Sequence, residues 1–316
     1  MLLGLTELNL SVCDVSQWLP SEVDWVLALD LIDDEEAKSR ILKYRRGPNF
    51  VARTNVDTKC FAIGRLFQQL LCQRVSTAHK VVGHIVKSVE GKPFFHLESI
   101  PPTYYPAHWN YNVSHAGSFV CCGVSTCGLI GVDVMPVELV PASTEVADDT
   151  AVRAFFEDFI SFFTPKEWRS ILSGTDPLNK LQRFYHHWTL KEAYLKAIGI
   201  GLGLELSSFE MVISYTDDLS CFKDDWMVIS TCISIISTEV CASDWQFWLL
   251  QHNSEMSIMA VALGPFQAAD FCDGGKILKH NCTIAGQKYP PPRFSHPEFN
   301  LSSISAQSLI LNFLSM

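Results

Sequence analysis

Residues 179–199 read NKLQRFYHHWTLKEAYLKAIG. The run has no proline and no interior glycine, and Gly199 closes it. It predicts the longest helix of the chain, Asn179–Ile198. Trp188, Glu192 and Lys196 fall at i, i+4 and i+8 and share one face of that helix. Downstream, apolar β-rich runs at 204–214, 226–236, 244–251 and 256–263 predict strands. Upstream, Thr164-Pro165-Lys166-Glu167 supplies a capping threonine, a proline in the first turn and a glutamate that closes the box. A Phe-rich helix over 151–163 precedes it. The coarse organisation is mixed α and β.

The first half follows the same logic. Val23 to Leu31 is an apolar run that reads as a strand, and Asp33 with Glu36 opens a helix to about Tyr44. Ile63, Leu66, Phe67, Leu70 and Leu71 recur at helical spacing and predict a helix over 55–74. His84–Val89 and Pro93–Leu97 flank the turn Glu90-Gly91-Lys92 as a hairpin. Ser118–Ser125 and Gly128–Val134 read as further strands. The division is an N-terminal lobe over 1–135, a linker over 136–150 and a C-terminal lobe over 151–265. A tail over 266–316, rich in Pro, Ser and Asn, is expected to be poorly ordered.

The chain has 316 residues, enough for two lobes, and 48% hydrophobic against 18% charged residues excludes wholesale disorder. No apolar run reaches the roughly 18 residues of a membrane span, and the start MLLGLTELNLSVCDV has no basic leader. The expectation is a cytoplasmic monomer with no membrane partner. The eleven cysteines are odd in number and form no CxxC pair, which fits free thiols, and Cys122 with Cys127 makes only a weak metal candidate. Between residues 38 and 92, twelve Lys and Arg face only Asp57 and Glu90, so this segment carries +10 within a chain of net charge −10. Solvated helix faces account for part of it; an anion site or an acidic protein partner accounts for the rest. The acidic remainder, and the lack of interleaved basic and aromatic residues, argue against nucleic acid.

Three clusters could carry chemistry. Glu192 and Lys196 form either a surface ion pair or an acid and a base on a cleft-facing stripe. Asp133, inside the apolar run Gly131-Val132-Asp133-Val134-Met135, either bonds its own turn or aims a carboxylate at Mg²⁺. Asn112-Val113-Ser114-His115-Ala116-Gly117 offers small donors and an imidazole that can hold a phosphate, or a structural histidine. No nucleophile elbow surrounds Ser114, and the adjacent His186 and His187 point in different directions, as structural residues would.

Together these segments resemble the two-lobed, Sfp-type class of 4′-phosphopantetheinyl transferases. The resemblance rests on Gly91-Lys92-Pro93, Asn112-Val113-Ser114-His115, Gly131-Val132-Asp133, Phe163-Thr164-Pro165-Lys166-Glu167-Trp168 and Trp188-Thr189-Leu190-Lys191-Glu192-Ala193-Tyr194-Leu195-Lys196-Ala197, in the family's order. It covers about residues 20–265. The run KAIGIGLGLEL over 196–206 is most similar to the eukaryotic branch that includes the aminoadipate-semialdehyde dehydrogenase-activating enzyme.

The resemblance implies two similar α+β lobes packed side by side, with coenzyme A in the cleft between them. It implies transfer of phosphopantetheine from coenzyme A to a serine of an apo acyl carrier protein, releasing adenosine 3′,5′-bisphosphate. Asp133 and Glu192 match metal positions, for Mg²⁺. Glu192, or a metal-bound water near it, is the candidate base, and Lys196 faces the phosphates. Lys92, Asn112, Ser114 and His115 match positions around the nucleotide phosphates. Arg53 matches an arginine at the 3′-phosphate, with Arg45 and Arg46 as alternatives. Met135 stands where many bacterial members have an acid, so two protein carboxylates are expected. Lys87 stands where close relatives have arginine; it keeps the charge without bidentate bonding. A non-catalytic carrier-binding relative would lack Asp133, Glu192 or Lys196, and all three are present.

Overall fold

Each lobe lays one long helix across a β-sheet, and the reason is legible in the periodicity. The computed structural model describes residues 8–43, 51–80, 82–87, 91–97, 110–125, 128–138, 148–215, 222–223, 225–237, 244–265 and 300–314. In the first lobe, β1 (Leu8–Asp14), β4 (Asn110–Ala116) and β5 (Phe119–Ser125) form a sheet in the order β13-β1-β5-β4, with β13 at Asn300–Ser303. Helix α3 (Val56–His79) lies over it. Asn55 caps α3 by accepting the Thr58 N–H at 3.0 Å, and the stripe Ile63, Leu66, Phe67, Leu70 and Leu71 is buried as the spacing predicts. The predicted hairpin is present as β2 (Gly83–Lys87) and β3 (Pro93–Leu97).

The second lobe holds α4 (Asp149–Glu157), α5 (Pro165–Leu172) and α6 (Pro177–Ile198). Its main sheet runs β6-β12-β11-β9-β8, from Leu129–Pro136, Ser257–Gly264, Gln246–His252, Trp226–Ser230 and Phe222–Lys223. A separate ribbon pairs β7 (Glu210–Ile213) with β10 (Ile233–Ile236). β6 lies before the expected linker, yet it pairs along its whole length with β12 and so belongs to the second sheet. No helix among the described residues is long and apolar enough to cross a membrane.

Strand alternation sorts the side chains into three cores. One lies under α3 and one under α6. The third lies between the two sheets, where Leu8, Leu10 and Val12 of β1 meet Ile130, Val132 and Val134 of β6 and Met259, Val261 and Leu263 of β12. The odd residues of β6, Gly131 and Asp133, therefore face the α6 side.

Five expectations need correction. The run Val23–Leu31 is not a strand but helix α1 (Glu22–Asp30), opened by a capping box between Ser21 and Asp24. Trp25, Ala28 and Leu29 are buried while Val23 and Val26 are exposed, a helical alternation that a short apolar run conceals. Helix α2 (Glu35–Lys43) starts one residue later than expected, because Asp34 rather than Asp33 accepts the Ala37 N–H, at 2.8 Å. The run 204–214 holds a short 3₁₀ turn at Leu206–Ser208 and becomes strand only at β7, and the run 226–236 is two strands, β9 and β10, in different sheets. Finally, the end of the expected loose tail is structured. β13 pairs in parallel with β1, and α7 (Ala306–Leu314) buries Ala306, Leu309 and Ile310 in the core under α3. Residues 266–299 and most of the linker, 139–147, lie outside the described residues.

Candidate functional site

The site forms where β4, β6 and the last turns of α6 meet. α6 can lie this close to β6 because residue 131 is glycine: a Cβ there would collide with the Ala193 carbonyl and the Ala197 backbone. The close approach sets Asp133, two residues along β6, beside the stripe that carries Glu192 and Lys196. Gly199 ends α6 in the left-handed conformation, φ 75°, as its position at the helix end predicts.

β4 is locked to β6 by side chains. Asn110 Oδ1 accepts the Ile130 N–H and Asn112 Oδ1 accepts the Val132 N–H, each at 2.8 Å. Next on the same face, Ser114 donates to Asp133 Oδ1 at 3.2 Å. Lys196 Nζ then donates to Ser114 Oγ at 2.8 Å and to Asp133 Oδ1 at 2.5 Å. Lys196 thus turns across to β6 rather than along its own helix toward Glu192. Asp133 is buried, and among the described residues its second oxygen, Oδ2, has no hydrogen-bond partner.

Glu192 is half-buried one turn before Lys196. Burial first, and then repulsion from Asp133, pushes its carboxyl above the ordinary carboxylate range, while Lys196 pulls it partly back. His115 stands at the exposed end of β4. Desolvation, and then the Lys196 ammonium, favour its neutral form.

The structure thus gathers Asp133, Ser114, Lys196, Glu192 and His115. It gives other expected ligands different work. Lys92 is buried and donates to the carbonyls of Ile130 at 3.1 Å, Lys196 at 2.8 Å and Ala197 at 2.5 Å. These bonds cap the C-terminal end of α6. Asn112 is the stitch between β4 and β6. Arg53, half-buried in a 3₁₀ turn, donates to the Pro20 carbonyl at 3.4 Å, and Lys87 is exposed at the end of β2. Arg45 and Arg46 lie outside the described residues.

One element of the site's support went unread in the sequence. Lys191, fully buried, donates to the carbonyls of Leu206 and Phe209 at 2.7 Å and pairs with Glu167 Oε1 at 3.0 Å. Glu167 also accepts the N–H groups of Thr164 and Met211, each at 2.8 Å. The signal was present. Lys191 sits four residues after His187 and before Leu195, on the inward stripe of α6.

Comparison with known proteins gives the site a context. A family model described as the 4′-phosphopantetheinyl transferase superfamily matches residues 129–252. A second, described as the N-terminal part of a 4′-phosphopantetheinyl transferase, matches residues 16–127. The mouse L-aminoadipate-semialdehyde dehydrogenase-phosphopantetheinyl transferase is 33% identical over 198 residues, covering 62% of this chain and 58% of the mouse protein. A phosphopantetheinyl transferase from Thraustochytrium is 29% identical over 203 residues, 62% of this chain and 63% of that protein. The 4′-phosphopantetheinyl transferase of Bacillus subtilis is 30% identical over 119 residues, 37% of this chain and 46% of its own length. The matched part spans less than two thirds of each of these relatives.

Proposed function

The chain belongs to the 4′-phosphopantetheinyl transferase superfamily, and on that premise we propose that it transfers the 4′-phosphopantetheine group of coenzyme A to a serine of an apo acyl carrier protein or carrier domain. The other product is adenosine 3′,5′-bisphosphate. The observation that carries the reading is the contact of Lys196 with Asp133 and Ser114 beside a perturbed Glu192.

The reaction joins the serine oxygen to the phosphorus that bears pantetheine and breaks the diphosphate bond. The serine must lose a proton. On this reading Glu192 is the group that accepts it. Negative charge grows on the bridging diphosphate oxygen as it leaves with adenosine 3′,5′-bisphosphate. Lys196, half-exposed on the cleft side, offers a fixed cation to it. His115 in its neutral form can donate one hydrogen bond to a phosphate oxygen.

The residues also fit a divalent cation. Asp133 Oδ2, a buried carboxylate oxygen with no hydrogen-bond partner among the described residues, is a candidate ligand atom, and Glu192 supplies the second carboxylate. Met135 adds no oxygen ligand, so these two residues would hold Mg²⁺ with substrate and water oxygens. When bound, Mg²⁺ supplies neutralisation of the diphosphate charge.

The test is direct. The protein is incubated with coenzyme A, Mg²⁺ and apo carrier domains of fatty-acid, polyketide and lysine-pathway type, and the carriers are weighed by mass spectrometry. The expected result is the mass of one phosphopantetheine on at least one carrier. Asp133→Ala and Glu192→Ala are each expected to abolish that gain while leaving a folded protein. Normal turnover in either variant at saturating Mg²⁺ would overturn the assignment of the two carboxylates.

A further inference from the structure

We propose that the outer face of α1 docks a basic amphipathic helix of a partner protein. The face involves neither Asp133, Glu192 nor Lys196, so the inference goes beyond the transfer reaction and does not depend on it.

α1 is apolar on both sides. Its sequence, EVDWVLALD, has six apolar residues in nine. One side is accounted for: Trp25, Ala28 and Leu29 are buried in the core under α3. The other side carries Val23, 77% exposed, and Val26, 49% exposed, three residues apart and therefore neighbours on one face. Leu19, just before the capping Ser21, is 86% exposed and extends the strip. A helix that is apolar all round belongs in an interior, and single exposed valines differ from a row of them.

The charge on this face has one sign. Glu22, Val26 and Asp30 follow one another at i, i+4 and i+8, and all three are exposed. Residues 1–37 hold nine acids and no Lys, Arg or His. Asp30 sits in the last turn of α1, which has no basic residue. That is the negative end of the helix dipole, where a cation is favoured and an acid is not. The lysine beside it, Lys38, lies within electrostatic reach of Asp30 and Asp33 but gives its hydrogen bond to Glu35 at 2.7 Å. Three acids thus share one ammonium. At the other end of the face Arg53 donates to the Pro20 carbonyl, so the acidic excess lies toward Asp30.

These two departures, apolar residues facing water and an acid at the C-terminal end of a helix, are answered by one occupant. A helix with leucine-like residues on one side covers Leu19, Val23 and Val26, and its Lys or Arg flank meets Glu22 and Asp30. An acidic partner, of the kind the basic segment 38–92 suits, is repelled from this face, and so is an anionic lipid surface.

The probe is a synthetic helix of about 18 residues with leucines on one side and lysines on the other, long enough to be helical alone. It is titrated into the full chain by calorimetry, and the amide shifts of the deuterated protein are followed. Circular dichroism and urea midpoints check that each variant is folded. The expected result is saturable binding with shifts centred on residues 19–31. Val23→Asp/Val26→Asp should weaken it by about tenfold or more, although the variant adds negative charge, because two apolar contacts are lost. Glu22→Gln/Asp30→Asn should weaken it and flatten its salt dependence between about 0.05 and 0.5 M, since the attraction of exposed charges is screened. The same peptide with glutamates for lysines should not bind. No binding at about 1 mM peptide, a free energy no better than about −4 kcal/mol, overturns the inference. So does undiminished binding by Val23→Asp/Val26→Asp, which would show charge attraction alone, or shifts centred away from α1. A wild-type dimer in sedimentation that Val23→Asp/Val26→Asp dissociates also overturns it and gives the face to a second copy.

Discussion

Lys191 Nζ lies 3.0 Å from Glu167 Oε1, and both side chains are fully withdrawn from water. The pair ties the start of α5 to the middle of α6, one residue before Glu192. Glu167 closes the capping box of α5 and also holds the first residues of β7 through the Met211 N–H. Two sequence motifs that look independent, one around Thr164-Pro165 and one around Lys191-Glu192, are therefore a single buried network.

That network makes the first prediction. Removing one partner leaves the other as an uncompensated buried charge, which costs about 3–5 kcal/mol. Lys191→Met and Glu167→Ala should each lower stability by that order in urea denaturation. The double variant should be less destabilised than the two losses added together. Additive losses would show that the two side chains do not depend on each other.

Much of the site was legible in the sequence because its signals were periodic. Glu192 and Lys196 are four residues apart on a helix, and Asp133 interrupts an apolar strand, so spacing marked them as candidates, and the family resemblance rather than spacing placed them together. What was not legible was where a lysine's charge goes. Twelve basic residues in one segment suggested an anion surface, yet Lys59 is buried and donates to the Val15 and Trp18 carbonyls at 2.7 and 2.8 Å, and Lys92 caps α6. Lys38 pairs with Glu35. A lysine on carbonyls and a lysine on phosphate have the same letter; only the tertiary fold separates them. The strand misread at Val23–Leu31 has a similar cause, since a short apolar run satisfies either period and the Ser21–Asp24 capping box decides it.

Lys92 provides a second prediction. Its ammonium holds the carbonyls of Lys196 and Ala197, the end of the helix that bears the site. Lys92→Met should lower stability by about 1.5–3 kcal/mol, the worth of hydrogen bonds to a charged group. Assayed well below its unfolding temperature, the variant should keep the wild-type coenzyme A KM. A raised KM with unchanged stability would return Lys92 to the phosphate role that its turn suggested.

The C-terminal segment gives a third. Leu301, Ile304, Leu309 and Ile310 are buried against the first lobe, and β13 covers the edge of β1 from Asn9 to Val12. Each fully buried aliphatic side chain stabilises by about 1.5–3 kcal/mol. Four together rival the whole stability of an ordinary domain, about 5–15 kcal/mol. A chain ending at residue 299 should therefore accumulate as insoluble protein, with an apolar sheet edge laid open. Soluble truncated protein with an unshifted unfolding midpoint would show that the clasp is dispensable, as the sequence alone suggested.

The last prediction concerns acid. His186 and His187 are buried side by side on α6, with Nδ1 of His186 at 3.2 Å from the Tyr215 hydroxyl and Nε2 of His187 at 3.1 Å from the Ser170 hydroxyl. Burial foremost, and then neighbouring cations, pushes both from 6.5 down to about 3. In the unfolded chain both take up a proton as pH falls through 6.5, while in the fold they stay neutral to about 3. The unfolded state thus binds more protons in that window, so stability is full above 6.5 and falls as pH drops toward 3. The slope is about 1.4 kcal/mol per pH unit for each histidine. Glu167, raised by burial, acts with the opposite sign, so the informative quantity is the difference between variants. Urea unfolding at pH about 7.5 and about 5.5 should show a loss of roughly 1–3 kcal/mol in wild type, and His186→Asn/His187→Gln should remove most of that loss even if it is less stable at both pH values. An equal pH-dependent loss in the double variant would assign the acid sensitivity to other groups.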